Sequence, residues 1–200
     1  MIPSTIAIVD YGAGNLNSVK KAFNYLGAGV VVTTHPEVVA TADKIVLPGV
    51  GHFSALSALD NTGLREAVLQ GATAGKPFLG ICLGMQWLFE GSDEAPEFAG
   101  VGIFAGRCQP FPSSVKSPHV GWNSLTVREG SRLLRDVAPD SFVYYTHSFQ
   151  APVVAATTAA TEYGAPFSAV VERDNIFGVQ FHPEKSWTVG LRILRNFCAI

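Results

Sequence analysis

The chain is poor in charge and in cysteine, and it has no long apolar run. Of its 200 residues 15% are charged and 48% are apolar, and 14 basic residues against 16 acidic ones leave a formal charge of -2. So small and balanced a charge gives no electrostatic footprint for nucleic acid, and the apolar content is too high for a disordered chain. Apolar runs span about four to seven residues, well short of the ~18 needed to cross a bilayer, and Asp10 interrupts the first of them. No transmembrane helix and no secretory signal is expected. Cys82, Cys108 and Cys198 are scattered without a CxxC pair, which points away from a disulfide framework and from a thiolate metal site. A reducing, cytoplasmic setting follows as the expectation. There is no GxxxxGK[ST] stretch and no HExxH, so neither a P-loop nor that zinc pattern is present, and no metal or cofactor is expected.

What is there is alternation. TIAIV (5–9) is followed by a Gly-rich turn and a helical pattern near Leu16–Leu26, then by strand patterns at 29–34 and 44–48. Leu64, Ala67, Val68 and Gly71 recur at helical spacing, a stop follows at Gly75, and FLGIC reads as the next strand. Such units imply a parallel sheet covered by helices on both faces. From about Gly100 the runs shorten: VGIFAG, VGWNSLTV, SFVYYTHSF, VVAATTAA, SAVVER and IFGVQF read as mixed or antiparallel strands. Asp174-Asn175 is placed as the tight turn between the last two. Ser186 is expected to cap a final helix whose apolar face carries Leu191, Leu194 and Phe197. One α/β domain is expected over residues 1–200.

Two glycine-rich turns follow strands. Asp10-Tyr11-Gly12-Ala13-Gly14-Asn15 sits where a dinucleotide-binding GxGxxG would, but Asn17 occupies the third glycine position. Pro48-Gly49-Val50-Gly51 reads as a turn whose glycines permit more than one peptide orientation.

The most informative stretch is Phe78-Leu79-Gly80-Ile81-Cys82-Leu83-Gly84-Met85-Gln86. It has the form GxCxG between an apolar strand and a helical run, LGMQWLFE. A nucleophile elbow holds its central residue in a strained turn and needs small residues two before and two after. A helix start and a nearby imidazole both favour a thiolate. A small buried cysteine at a strand end is the alternative. For Cys108 and Cys198, which have no such setting, that alternative is kept. The base expected for Cys82 is His182, in Gln180-Phe181-His182-Pro183-Glu184. In extended chain Glu184 would point the same way as His182, with Pro183 stiffening the link, as the orienting member of a triad.

With GICLGMQ, HPEKS and the PGVG turn, the chain resembles the class I (triad) glutamine amidotransferases, essentially from Ile6 to Phe197. DYGAGN, PGVGHF, PHVGWN and YYTHSF narrow the resemblance to the glutaminase-subunit family of imidazole glycerol phosphate synthase. The resemblance implies the flavodoxin-like three-layer fold of that class, with a central, mostly parallel sheet and a C-terminal mixed or antiparallel extension. It implies Cys82 as nucleophile, His182 as acid and base and Glu184 as its partner, in hydrolysis of L-glutamine to glutamate and ammonia through a thioester. Oxyanion donors are expected from the Leu83 N–H and from the Gly49-Val50 turn. Gly51, Gln86, Glu94, Ser148 and Phe149 are expected around the glutamine. His52, His119 and His147 adjoin the motifs and are read as structural.

Ammonia becomes mostly ammonium at neutral pH and loses its nucleophilicity, so direct transfer to a second site is favoured. The resemblance supplies that site as a separate (β/α)8-barrel cyclase subunit in a heterodimer of L-histidine biosynthesis. It converts a phosphoribulosyl formimino carboxamide ribonucleotide to imidazole glycerol phosphate and an aminoimidazole ribonucleotide. Tyr11, Asn15, Trp122, Tyr144 and Tyr145 lie in motif loops and are candidates to meet it. The glycines of PGVG suggest that the Gly49-Val50 peptide turns its N–H toward the site only when partner and ligand bind. Two alternatives stand beside this reading: another class I glutaminase subunit or a stand-alone amidase, and a glutaminase-like scaffold without activity.

Overall fold

The computed structural model describes residues 4–200. The first half runs β1 (Thr5–Val9), α1 (Leu16–Tyr25), β2 (Gly29–Thr33), α2 (Pro36–Thr41), β3 (Lys44–Gly49), α3 (Ala58–Asn61), α4 (Leu64–Thr73), β4 (Phe78–Cys82) and α5 (Leu83–Gln86). The second half adds β5 (Gly91–Ser92), β6 (Arg107–Pro110), β7 (His119–Ser124), β8 (Thr126–Val127), β9 (Phe142–His147) and β10 (Phe149–Gln150). It ends with β11 (Thr157–Glu162), β12 (Pro166–Arg173), β13 (Ile176–Val179) and α6 (Trp187–Ala199).

Eight strands form one sheet in the order β2-β1-β3-β4-β13-β12-β11-β8. The first five are parallel, and the last three join antiparallel. Side chains alternate across β1, so Ile6 and Ile8 enter one layer with Val19 and Phe23 of α1 and Leu194 and Phe197 of α6. Ala7 and Val9 enter the opposite layer with Val39 of α2 and Leu64 and Val68 of α4. Each such large apolar side chain, fully buried, contributes about 1.5–3 kcal/mol, so the sheet is held from both faces. In the order 2-1-3-4 the connections diverge at β1, and a crevice opens beyond the carboxyl ends of the strands. Gly49 at the end of β3 and Cys82 at the end of β4 are register partners there.

Several elements depart from the sequence expectation. LGMQWLFE is helical only to Gln86, because the N–H groups of Val101, Gly102, Phe104 and Gly100 take the carbonyls of Trp87, Phe89, Leu88 and Glu90. For the same reason VGIFAG forms no strand; its backbone packs on that turn instead. α2, which was not expected, starts at Pro36 with Glu37 in its first turn, an arrangement favourable to a helix N-terminus. Ser186 precedes α6 but makes no side-chain cap, since its Oγ donates to the His182 carbonyl (2.7 Å) and accepts from the Tyr144 N–H (2.9 Å). Asp174-Asn175 is the two-residue turn expected between β12 and β13, with Asp174 at φ 53°. Among the described residues no helix is long and apolar enough to cross a membrane.

Candidate active site

Cys82 lies at the junction of β4 and α5 with φ 54° and ψ -105°, a backbone state that non-glycine residues rarely adopt. The turn is tight enough that its flanks have no room for a side chain. A Cβ on Gly80 would overlap the Gly84 carbonyl, and one on Gly84 would overlap the Leu47 carbonyl of β3. The elbow therefore follows from two glycines, and it aims the Cys82 side chain into the crevice while leaving the residue only 5% exposed.

The imidazole of His182 approaches from the segment after β13. Its Nδ1 is 2.8 Å from Oε1 of Glu184, and both side chains are sealed, at 2% and 1% exposure. The juxtaposition does not come from extended chain as expected: Pro183–Lys185 form a turn of 3-10 helix that folds Glu184 back under the ring. Nε2 of His182 is buried and, among the described residues, has no nitrogen or oxygen hydrogen-bond partner. Burial opposes a charge on this ring, but the Cys82 sulfur on one side and the Glu184 carboxylate on the other outweigh it and raise its pKa to about 10. An acid–base group thus sits between a sulfur nucleophile and a buried carboxylate, the arrangement required for acyl transfer through a thioester.

The chain matches the family Glutamine amidotransferase class-I over residues 7–200. It belongs to the class I glutamine amidotransferases. It is 48% identical over 197 residues to the Imidazole glycerol phosphate synthase subunit HisH of Methanothermobacter thermautotrophicus, covering 98% of each chain. It is 44% identical to the subunit of the same name from Deinococcus radiodurans, covering 96% of this chain and 92% of that one. Among solved structures, that of PurLQS from Thermotoga maritima matches with a TM-score of 0.77 at 18% identity, covering 98% of each chain. The fold is accordingly that of this class, a large, mostly parallel sheet extended by antiparallel strands.

In this amidotransferase the crevice in front of Cys82 encloses about 330 Å³. Gly51, Leu83, Gln86, Glu94, Ser148 and Phe149, all picked out in the sequence, line it. Glu94 Oε2 accepts the Phe53 N–H at 2.8 Å, which ties its loop to the turn after β3. Gly49 is the register partner of Cys82, and a Cβ on it would overlap the Tyr11 hydroxyl and Leu83, while Val50 is exposed. Pro118, Thr146 and His147 complete the wall and were not anticipated as lining residues.

Two of the residues expected at a partner surface are not there. Tyr145 is fully buried, with its hydroxyl 2.7 Å from Thr161 Oγ1, and Tyr11 is buried against Gly49 near the Cys82 sulfur. Their rings fill core space, so they have no face to offer. Asn15 and Tyr144 are half-buried, and Trp122 is exposed, with its ring 4.9 Å from that of Trp187. His52 is exposed and pairs with Ser54 Oγ at 2.8 Å.

Behind the wall, Gln180 is a further neighbour of Cys82 that sequence reasoning passed over. It is completely buried, and its Nε2 lies 3.7 Å from the Cys82 sulfur. The available signal was one amide in the otherwise apolar run IFGVQF.

Proposed function

We infer that the chain is the glutaminase subunit of an imidazole glycerol phosphate synthase. It releases ammonia from L-glutamine for a cyclase subunit in histidine biosynthesis. The observation that carries this reading is Cys82 lining a crevice with the His182–Glu184 pair behind it, in a chain whose relatives of that name match it nearly end to end.

The Cys82 thiolate attacks the side-chain amide carbon of glutamine, and the carbonyl oxygen takes up negative charge. The N–H of Leu83 and one from the Gly49-Val50 turn are the proposed donors to that oxygen, each worth about 3 kcal/mol of barrier. Gln86, Glu94, Ser148, Phe149 and Gly51 hold the substrate, with the Glu94 carboxylate facing its ammonium group.

As the tetrahedral adduct collapses, protonated His182 gives its proton to the departing nitrogen, and ammonia leaves a γ-glutamyl thioester on Cys82. Acylation removes the negative charge from the sulfur, and with it one of the influences that kept His182 protonated. Burial then favours the neutral ring, which accepts a proton from water as the water attacks the thioester. Glutamate departs, and the thiolate–imidazolium pair is restored. Glu184 holds the ring with Nε2 toward the sulfur throughout.

The cyclase subunit is proposed to cover the face that carries Asn15, Trp122 and Tyr144. The test is to purify the chain with a candidate cyclase and follow glutamate production with and without the cyclase's nucleotide substrate. Glutamine hydrolysis stimulated by that substrate supports the reading. Absence of hydrolysis under both conditions refutes it.

A further inference from the structure

Two sets of hydrogen bonds converge on the Phe149 carbonyl, and because that oxygen can only accept, the direction of each can be worked out. In one set Nδ1 of His147 lies 2.9 Å from the Phe149 carbonyl, so the proton sits on Nδ1. Burial lowers the pKa of this ring to about 3, so it is neutral and its Nε2 is an acceptor. Nδ1 of His119, 3.1 Å away, is then the donor to it. That leaves Nε2 of His119 to accept from Asn123 Nδ2 at 3.4 Å, and Asn123 has no choice of orientation. Its Oδ1 accepts the Ser124 N–H (2.8 Å), while Nδ2 also donates to the Glu162 carbonyl (3.0 Å).

On the other side of the same Phe149 carbonyl, Gln86 Nε2 donates at 2.8 Å and also to Gln180 Oε1 at 3.1 Å. Gln180 is thereby oriented. Reversing its amide would set two NH2 groups against each other and turn a carbonyl oxygen toward the sulfur, leaving buried donors unmatched. With Oε1 held by Gln86, Nε2 must face Cys82.

We propose that Gln180 is a positioning residue for the nucleophile: held by Gln86, which the Phe149 carbonyl orients, it donates an N–H to the Cys82 sulfur and favours the anionic, attack-ready sulfur. This rests on the reading of Cys82 as the nucleophile. A hydrogen bond to an ionised acceptor is about twice as strong as a neutral one, so the donor favours thiolate over thiol. Gln180 does not line the crevice itself; it touches the residues that do through Cys82 and Gln86. The other titratable groups around the sulfur are His182 from the segment after β13, Tyr11 from the loop after β1, Cys108 of β6, and Glu94 and His147 across the crevice.

The experiment compares wild type, Gln180→Met and Gln180→Glu in complex with the cyclase. Glutamine turnover is followed together with the pH profile of Cys82 alkylation by iodoacetamide. Gln180→Met keeps the volume without a donor, and Gln180→Glu keeps the shape with an acceptor. Both are expected to move the alkylation profile to higher pH, by about one unit for Met and further for Glu, and to lower kcat about tenfold. A Gln180→Met protein with the wild-type profile and kcat would overturn the proposal.

A second measurement needs no variant. Imidazole 15N NMR of the full wild-type chain is expected to show His119 and His147 as neutral Nδ1–H tautomers at pH 7. An Nε2–H tautomer at His147 would mean that the Phe149 carbonyl is placed otherwise than as the acceptor that orients Gln86, and would overturn the proposal at that step. A wild-type complex that does not hydrolyse glutamine would remove the reading of the site itself, and it would do so before any variant was made.

Discussion

Nδ1 of His182 is 2.8 Å from Oε1 of Glu184, although the two residues are only two apart and belong to no common strand. Removing the carboxylate charge while keeping its shape separates orientation from electrostatics. Glu184→Gln leaves an acceptor for Nδ1–H but no longer supports an imidazolium. Glutamine hydrolysis by the complex is expected to fall by roughly 10²-fold. Its alkaline limb should shift to lower pH, because one of the influences raising His182 is gone. Activity equal to wild type would show that the carboxylate is only a packing group.

The same ring and the buried histidine pair act in opposite directions on stability. Folding raises His182 from 6.5 to about 10, so the native state holds that proton more tightly than the unfolded chain. This stabilisation is complete below about pH 6.5 and is lost as pH rises through about 10. Burial lowers His119 to about 4 and His147 to about 3, so the unfolded chain binds those protons first. Their effect is loss of stability as pH falls below about 6.5, continuing to about 3. Urea midpoints measured from pH 4 to 10 should therefore peak near pH 6–7. The double variant His119→Gln, His147→Gln should flatten the acid limb and leave the alkaline limb in place.

The strain at Cys82 predicts a trade of activity against stability. Cys82→Ala and Cys82→Gly should both abolish glutamine-driven synthesis while the partner's reaction with added ammonium salt continues. Only glycine adopts φ 54°, ψ -105° without cost, and a non-glycine residue in such a region carries about 1–3 kcal/mol of strain. Cys82→Gly should thus be more stable than Cys82→Ala by roughly 1 kcal/mol, read from denaturant midpoints. Equal midpoints would mean that the turn relaxes.

The elbow was legible because sterics leave a local mark: Gly80 and Gly84 are required by backbone that lies within four residues or on the adjacent strand. The parallel half of the sheet was legible for a similar reason, since apolar alternation such as Ile6, Ala7, Ile8, Val9 is set strand by strand. What escaped depends on distant partners. LGMQWLFE has helical periodicity, yet its carbonyls are taken by residues 100–104. Ser186 has the composition of a cap, yet its hydroxyl is used on His182 and Tyr144. Gln180 meets Gln86 across 94 residues and Cys82 across 98, separations that no window on the sequence spans. Tyr11 and Tyr145 look like interface aromatics in a motif and prove to be core.

Gly84 gives the strictest steric prediction. Its missing Cβ is replaced by the Leu47 carbonyl, a backbone atom in the middle of a buried strand that cannot move aside as a flexible side chain would. Gly84→Ala should cost at least about 3 kcal/mol, enough to deplete soluble protein, since overpacking a close-packed interior is relieved only by shifting backbone. Gly102, where a Cβ would meet nothing within 4 Å, has φ 64° and serves as the control. Gly102→Ala should cost only about 1 kcal/mol from its backbone conformation. Comparable losses at the two positions would argue against the tight elbow.

The turn after β3 predicts control by the partner. Gly49 is wedged against the Tyr11 hydroxyl and Leu83, whereas Val50 beside it is exposed and Gly51 has φ 97°. A fixed residue followed by two unconstrained ones lets the Gly49-Val50 peptide rotate without moving the strand that anchors it. A donor that reaches the oxyanion only after such a rotation is worth about 3 kcal/mol of barrier, or roughly 10²-fold in rate. The chain alone is thus expected to hydrolyse glutamine about 10²-fold more slowly than the complex with its nucleotide ligand, chiefly in kcat. Gly49→Ala, whose Cβ would collide with the Tyr11 hydroxyl, should displace the turn and abolish that stimulation. Full hydrolysis by the chain alone would mean that the donor is already in position and that the partner acts elsewhere.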